Sequence, residues 1–449
     1  MRSSKHIIWL ISGSLILLVL LTSHSPTITF LYQTPNIFPA LVFRLFALLL
    51  AVVLFVAFYG IGIFICTLFG LKLTSIYLKI PIYFFIGFLL ASTLVYLLGF
   101  LSILNTEILL LVLFFGAWIT ISKESSSLFY ANRFFYWPIL EGMQKWTIRI
   151  ILLFLVSRLF PVLNFNSFGD PLTYSLPSGR DYLRAGGFQW FEQAEFYWQA
   201  GLSDIGLIYL YCFTKHPMLL QLTAQAFYFL TGTLFLLLIL HKGLFSKLVP
   251  EKHSLWIAFS FIAMGTFRLE SIVAKPDYWL AVLFCLIIVL IYKIFSEKSN
   301  ENLLSYWSAV LILSGLCVSI KPTSIMFLLP LGTGIIIFCR QSIPWTNVKF
   351  WAASILGSIF GLLNTFKNFY IFENPFFPFA NKIFLSKYWD QSASEGMLKL
   401  FGLESGSLMG FIQSFTKIFA GHPVSLILFF AAFIWYCKYR VKDTISKTS

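Results

Sequence analysis

Acids and cations are scarce in this chain, and where they gather is the first guide to any chemistry. Between Asn164 and Asp204 stand five of its eighteen acidic residues (Asp170, Asp181, Glu192, Glu195 and Asp204), crowded by aromatics, although charged residues make up only 11% of the whole. Asp170 lies in a Gly-Asp-Pro turn, where the following proline biases it toward extended backbone. Phe165, Phe168 and Tyr174 flank it in sequence. Partial desolvation by such neighbours raises a carboxylate's proton affinity and suits it to take a proton from a hydroxyl. An Asx turn or a helix cap is the plainer use of the same residue.

Ser178 to Arg184 reads as a short helix at the membrane interface, with Arg180 and Arg184 four apart on one face. Two guanidiniums there suit a phosphate or pyrophosphate, and equally suit headgroup anchoring. Gly186-Gly187 ends that helix, and the aromatics from Phe188 to Trp198 form an interfacial belt or a stacking surface for a sugar ring. Lys275-Pro276-Asp277 follows Arg268 and Glu270 in a tight turn. Charges so close to hydrocarbon are a functional hypothesis by default, while capping is the alternative for Asp277. Lys321 stands before Pro322-Thr323 as a phosphate ligand or a snorkelling lysine. Lys367 and Asn368 leave a span just before a Pro-rich aromatic turn.

The elements that must position these residues are membrane helices. Hydrophobic residues make up 59% of the 449, mean hydropathy is +0.84 and phenylalanine alone occurs 52 times. Apolar runs long enough to cross a bilayer recur near 7–22, 40–67, 80–101, 106–121, 147–163, 218–240, 254–271, 277–295, 303–319, 323–339, 350–370 and 423–438. The expectation is an all-α polytopic membrane protein with about 12 transmembrane helices and an external loop, 164–204, carrying short interfacial helices. A β-barrel would alternate in short segments instead. The first run reads as an anchor, not a removed signal peptide, since no small-residue cleavage site follows it. Three divisions follow: a four-span block with a cytoplasmic connector (1–145), a core (146–380), and a last external segment, span and tail (381–449).

With the N-terminus inside, the inner segments collect nineteen basic residues against six acidic ones, and the outer segments thirteen against twelve. The net charge of +14 is therefore mostly a topology signal that places both termini in the cytoplasm. A nucleic-acid partner is not expected. The six cysteines show neither metal-ligand nor CxxC spacing and read as apolar packing residues. No Walker, GxGxxG, HExxH or Ser/His/Asp signature occurs.

Taken in order, these segments resemble the multi-spanning C-type (GT-C) glycosyltransferases that use polyprenyl-phosphate-sugar donors. The nearer likeness is to bacterial relatives of the protein mannosyltransferase and aminoarabinose transferase group, glycosyltransferase family 39-like. The resemblance rests on Asp170-Pro-Leu-Thr-Tyr174-Ser-Leu176-Pro177, on Lys275-Pro276-Asp277, on Gly315 to Thr323 with Lys321, and on Lys367-Asn368 followed by Glu373-Asn374-Pro375-Phe-Phe-Pro378. Ser175 stands where many relatives carry His, and Glu373 where they carry Gly. It covers residues 147–380, about half the chain, and leaves the N-terminal block outside.

The resemblance implies a GT-C-like fold in the plasma (inner) membrane with its active site at the external, periplasmic face. It implies Asp170 and Asp277 as the catalytic acids, with Asp170 taking the acceptor's proton. Tyr174, Arg180, Arg184, Lys275, Lys321, Lys367 and Asn368 would bind the substrate and its lipid phosphate. Its partners would be a polyprenyl-phosphate-linked sugar and a protein, lipid or polysaccharide acceptor in the bilayer. No cofactor is expected, and no metal is required, although Asp170 with Asp277 could bind one. Two other readings stand beside it. A transporter or flippase of a lipid-linked saccharide would carry charged or broken helices at mid-membrane depth. An O-antigen polymerase- or ligase-type transferase would also use external arginines and acids.

Overall fold

The computed structural model describes residues 37–71, 73, 75–129, 174–191, 196–245, 251–263, 276–296, 300–340, 343–377 and 381–386, with isolated positions at 153, 157, 162, 388, 392, 395 and 396. Asp170 and Lys275 lie outside these residues, as do Arg268, Glu270, residues 130–145 of the connector and the spans expected at 7–22 and 423–438. Every regular element among the described residues is helical.

In chain order these are α1 (Ile37–Leu68), α2 (Ile76–Phe100), α3 (Thr106–Phe129), α4 (Leu176–Ala185) and the short α5 (Leu202–Gly206). Then come α6 (Pro217–Leu238), α7 (Glu251–Ala263), α8 (Pro276–Ser296), α9 (Asn300–Ile320) and α10 (Ile325–Cys339). The last are α11 (Val348–Gly361), α12 (Leu363–Phe372) and α13 (Asn381–Phe384).

Among the described residues, seven helical stretches are long and apolar enough to cross a membrane: Val42–Leu68, Ile76–Phe100, Thr106–Lys123, Pro217–Phe245, Pro276–Phe295, Asn302–Ile320 and Val348–Phe372. They correspond to seven of the spans expected from sequence, and the chain is a polytopic helical membrane protein. The run expected at 323–339 forms α10, only 15 residues long. At 1.5 Å per residue it reaches roughly 22 Å, short of a hydrocarbon core of roughly 30 Å.

The chain forms two compact units. The first joins residues 1–95, 104–186 and 203–286; the second joins 96–103, 187–202 and 287–449. The units interleave in sequence, whereas the expected divisions at 145 and 380 are consecutive.

Both units close their helices through glycine, because tight packing in lipid relies on backbones approaching each other. In the first, a Cβ on Gly60 would lie 1.8 Å from the Gly116 carbonyl oxygen, and one on Gly116 would lie 2.2 Å from that of Ala57. The Thr120 hydroxyl locks this α1–α3 contact by donating to the Val56 carbonyl at 2.7 Å. In the second, a Cβ on Gly315 of α9 would lie 2.0 Å from the Gly357 carbonyl oxygen of α11. Around the glycine seam of the first unit stands an aromatic core. Trp279 of α8 sits edge-on to Phe88 of α2 at 4.8 Å and meets Tyr228 of α6 at 4.4 Å.

The span Val348–Phe372 is not one helix. It breaks at Leu362, whose amide is shared between the carbonyls of Ser358 (3.1 Å) and Ile359 (3.2 Å) before α12 begins. Leu362 lies ten residues from the helix end at Phe372. At the α-helical rise that is roughly 15 Å, near the midplane of a bilayer.

Candidate functional site

In the first unit the loop after Tyr174 folds inward. Leu176–Ala185 forms α4 with Pro177 in its first turn, and its inner face buries Leu176, Ser178, Gly179 and Tyr182. The lack of a side chain on Gly179 matters here, since a Cβ would come within 3.1 Å of Ile208. The Tyr211 hydroxyl donates to the Leu176 carbonyl at 2.7 Å and pins the start of α4 to the segment that follows α5. Gly186 stops the helix with φ of 72°, a left-handed conformation that glycine adopts freely. Its carbonyl accepts from the Leu104 amide at 2.8 Å.

The outer face of α4 carries Arg180 and Arg184 side by side, both exposed. Arg180 is held by its neighbour: Nε donates to Asp181 Oδ1 at 2.7 Å and Nη2 to Oδ2 at 3.1 Å. With the Arg180 side chain 45% exposed, this fork is a weak surface pair that an incoming anion could exchange. Burial pushes the Tyr211 phenol well up; the Arg180 charge pulls it down, Asp181 pushes it up and Arg184 pulls it down. The two arginines thus act on the tyrosine that anchors their own helix.

From Ala200 to Thr214 every residue is buried. From Ser203 onward this short apolar stretch is an interior element of the first unit. The Tyr209 hydroxyl donates to the Ala91 carbonyl of α2 at 2.9 Å, and Gly206 lies so close to α2 that a Cβ would come within 2.5 Å of the Ser92 hydroxyl. Asp204, 1% exposed, is carried into this interior on α5. It does not sit alone: the charges of Asp204 and Asp277 and the Tyr174 phenol all act electrostatically on the Tyr228 hydroxyl. Tyr228 belongs to a buried polar stripe on α6 with Gln221 and Gln225. These fall at i, i+4 and i+7, on one helix face.

Asp277 stands in the first turn of α8, half-buried, where the helix dipole favours an acid. Of the residues expected to do chemistry, this unit brings Tyr174 and Asp277 to bear on one hydroxyl and displays Arg180 and Arg184 on one face. Asp204, Ser203, Tyr228 and the α6 glutamines were missed as a cluster. Polar residues at helical spacing inside the 218–240 run were the signal that could have found the α6 members.

In the second unit, Lys321 is half-buried in extended backbone (φ −149°, ψ 111°) ahead of a 3-10 turn, Pro322–Ser324. The Ser324 hydroxyl donates to its carbonyl at 2.6 Å. Lys367 is fully buried on α12 beside Asn364 and Asn368, and its ammonium donates to the carbonyls of Tyr197 (3.2 Å) and Ala200. This lysine therefore holds the turn at residues 197–200. α12 ends at Glu373, a non-glycine residue at φ of 57°. The Asn374 side chain then accepts from the Phe376 amide at 2.9 Å, and Phe372 stacks on Phe377 at 4.0 Å.

A groove of about 350 Å³ in the first unit is lined by Ile61, Leu90, Leu94, Ile108, Leu111 and Phe115, among other apolar residues. It suits a hydrocarbon chain and holds no group able to move a proton. No protein-family model, no curated protein and no solved structure matches this chain.

Proposed function

We propose that this protein is an integral-membrane glycosyltransferase that moves a sugar from a polyprenyl-phosphate donor to an acceptor hydroxyl at the external face of the plasma membrane, in a GT-C-like fold. The observation that carries the reading is the gathering, within one unit, of two carboxylates and two phenols. Asp204, Asp277 and Tyr174 act electrostatically on the buried Tyr228 hydroxyl, while Arg180 and Arg184 stand exposed on one helix face. Acids that hold or take protons, with exposed cations that can meet an anionic leaving group, are what such a transfer requires.

In the proposed step the acceptor oxygen bonds to the anomeric carbon as the bond from that carbon to the phosphate oxygen breaks. The lipid phosphate leaves with the bonding electron pair, and the acceptor's proton passes to a carboxylate. Asp170 is assigned as that base, with Asp277 orienting the acceptor. Arg180, Arg184, Lys275 and Lys321 are assigned to the leaving phosphate, and Tyr174 to the substrate. The ordered resemblance of 147–380 to polyprenyl-phosphate-dependent transferases supports these roles.

One observation favours a second reading, a translocator of lipid-linked saccharide: the span Val348–Phe372 breaks near mid-membrane depth and buries Lys367 just beyond the break. Transfer of radiolabelled sugar from polyprenyl-phosphate donors to a membrane extract separates the two. The transferase reading expects transfer by wild type and its loss in Asp170→Asn and Asp277→Asn at equal expression. Wild type that moves the labelled lipid across reconstituted vesicles, yet transfers no sugar from any donor, would make it a translocator.

A further inference from the structure

The buried polar face of α12 holds more hydrogen-bonding capacity than its surroundings use. Asn364, Lys367 and Asn368 fall at i, i+3 and i+4 and share that face. Its direction is set by Lys367, whose ammonium reaches the carbonyls of Tyr197 and Ala200. The two amides beside the lysine are 5% and 6% exposed, and neither side-chain oxygen has a hydrogen-bond partner among the described residues. Ser319, at the end of α9, completes the set. Its carbonyl lies 3.0 Å from where a Cβ on Gly201 would stand, so it borders the same turn, and its buried hydroxyl is likewise unpartnered among the described residues.

An unsatisfied buried acceptor is destabilising, and a leucine at either asparagine would avoid that cost. Such groups call for an explanation in a native structure. The unsatisfied asparagine atoms are acceptors, so they require a ligand that brings donors. A phosphate brings only acceptor oxygens and would confront the amide oxygens; a sugar brings several O–H groups.

We infer that Asn364 and Asn368, with Ser319, form a subsite for the hydroxyl groups of a sugar. Lys367 is the positioning residue that fixes the 197–200 turn against them. This rests on the glycosyltransferase reading and deepens it. Asn368, expected from sequence among the residues that bind the substrate and its lipid phosphate, is assigned here to the sugar's hydroxyls.

The test uses the purified full-length protein in detergent and follows thermal unfolding in three states: alone, with undecaprenyl phosphate, and with a panel of its hexosyl and pentosyl esters. In wild type at least one glycosyl ester raises the melting temperature beyond the bare lipid phosphate. Asn364→Leu and Asn368→Leu melt at the same temperature or higher without ligand. They keep the lipid-phosphate increment and lose the sugar-dependent one, with affinity for the glycosyl ester weakened at least tenfold. If a leucine variant fails to fold, Ser319→Ala removes one hydroxyl and reads the same increment, expected to shrink by severalfold. A sugar-dependent increment kept in full by the variants overturns the subsite. Wild type that transfers sugar yet shows no such increment overturns the subsite and leaves the transferase standing. Absence of both transfer and increment overturns both.

Discussion

The two units treat charge in opposite ways. The first buries an acid, Asp204, and leaves its arginines, Arg180 and Arg184, exposed on α4. The second buries a cation, Lys367, and leaves its acid, Glu373, exposed at the end of α12. The buried lysine meets two backbone carbonyls, whereas Arg180 forks onto the side chain next to it. The contrast teaches which cation is structural. One held by carbonyls inside protein fixes the backbone that carries them; one paired with a neighbouring carboxylate at the surface can exchange it for a ligand.

Breaking that contrast has its largest effect at Lys367. Lys367→Met takes a charged donor from two buried carbonyls, of which that of Tyr197 still accepts from the Ala200 amide, and is expected to cost about 2–3 kcal/mol, read as a fall in melting temperature of the purified protein. Next come the arginines. Arg180→Ala and Arg184→Ala should each leave stability within about 0.5 kcal/mol of wild type, yet lower sugar transfer about tenfold, which a kinetic assay at subsaturating donor would show. An equal loss of stability in all three variants would erase the distinction.

A smaller, opposite effect is expected at the exposed acid of the second unit. Glu373 occupies the left-handed region, where a side chain costs about 1 kcal/mol, so Glu373→Gly should stabilise by about that amount in thermal unfolding. The smallest effect belongs to His216, at the start of α6. Burial lowers its pKa below the usual 6.5, so the unfolded chain binds its proton more readily than the folded one. Its contribution is intact above pH 6.5 and is lost as pH falls toward the folded value. His216→Gln should therefore flatten the decline in melting temperature between about pH 6.5 and 5.

Much of this was legible in the sequence because lipid simplifies the code. Solid apolar runs specified seven spans, four-residue spacing put Arg180 and Arg184 on one face, and Gly186 marked where their helix stops. Pro276-Asp277 opens a helix and Lys321-Pro322 makes a turn, as their residue types require. What stayed hidden depends on groups distant in sequence. Asp204 has the look of another loop acid until α6 brings Tyr228 against it. Lys367 has the look of a phosphate ligand until its partners prove to be the carbonyls of Tyr197 and Ala200. The break at Leu362 follows only a glycine, a signal too weak to read because glycine also serves close packing in this chain.

The hydrogen bond from Tyr209 to Ala91 spans 118 residues of chain. A polypeptide made at about 5–20 residues per second needs on the order of ten seconds to cover that distance. During biosynthesis α2 and α3 are therefore delivered to the bilayer well before the segment that will cover Ala91 and Ser92. The first unit cannot finish when α1, α2 and α3 have been inserted, and its maturation is timed by the emergence of the segment that follows α5. A nascent chain stalled before Tyr209 would present an incomplete helical hairpin to the quality-control machinery of the membrane.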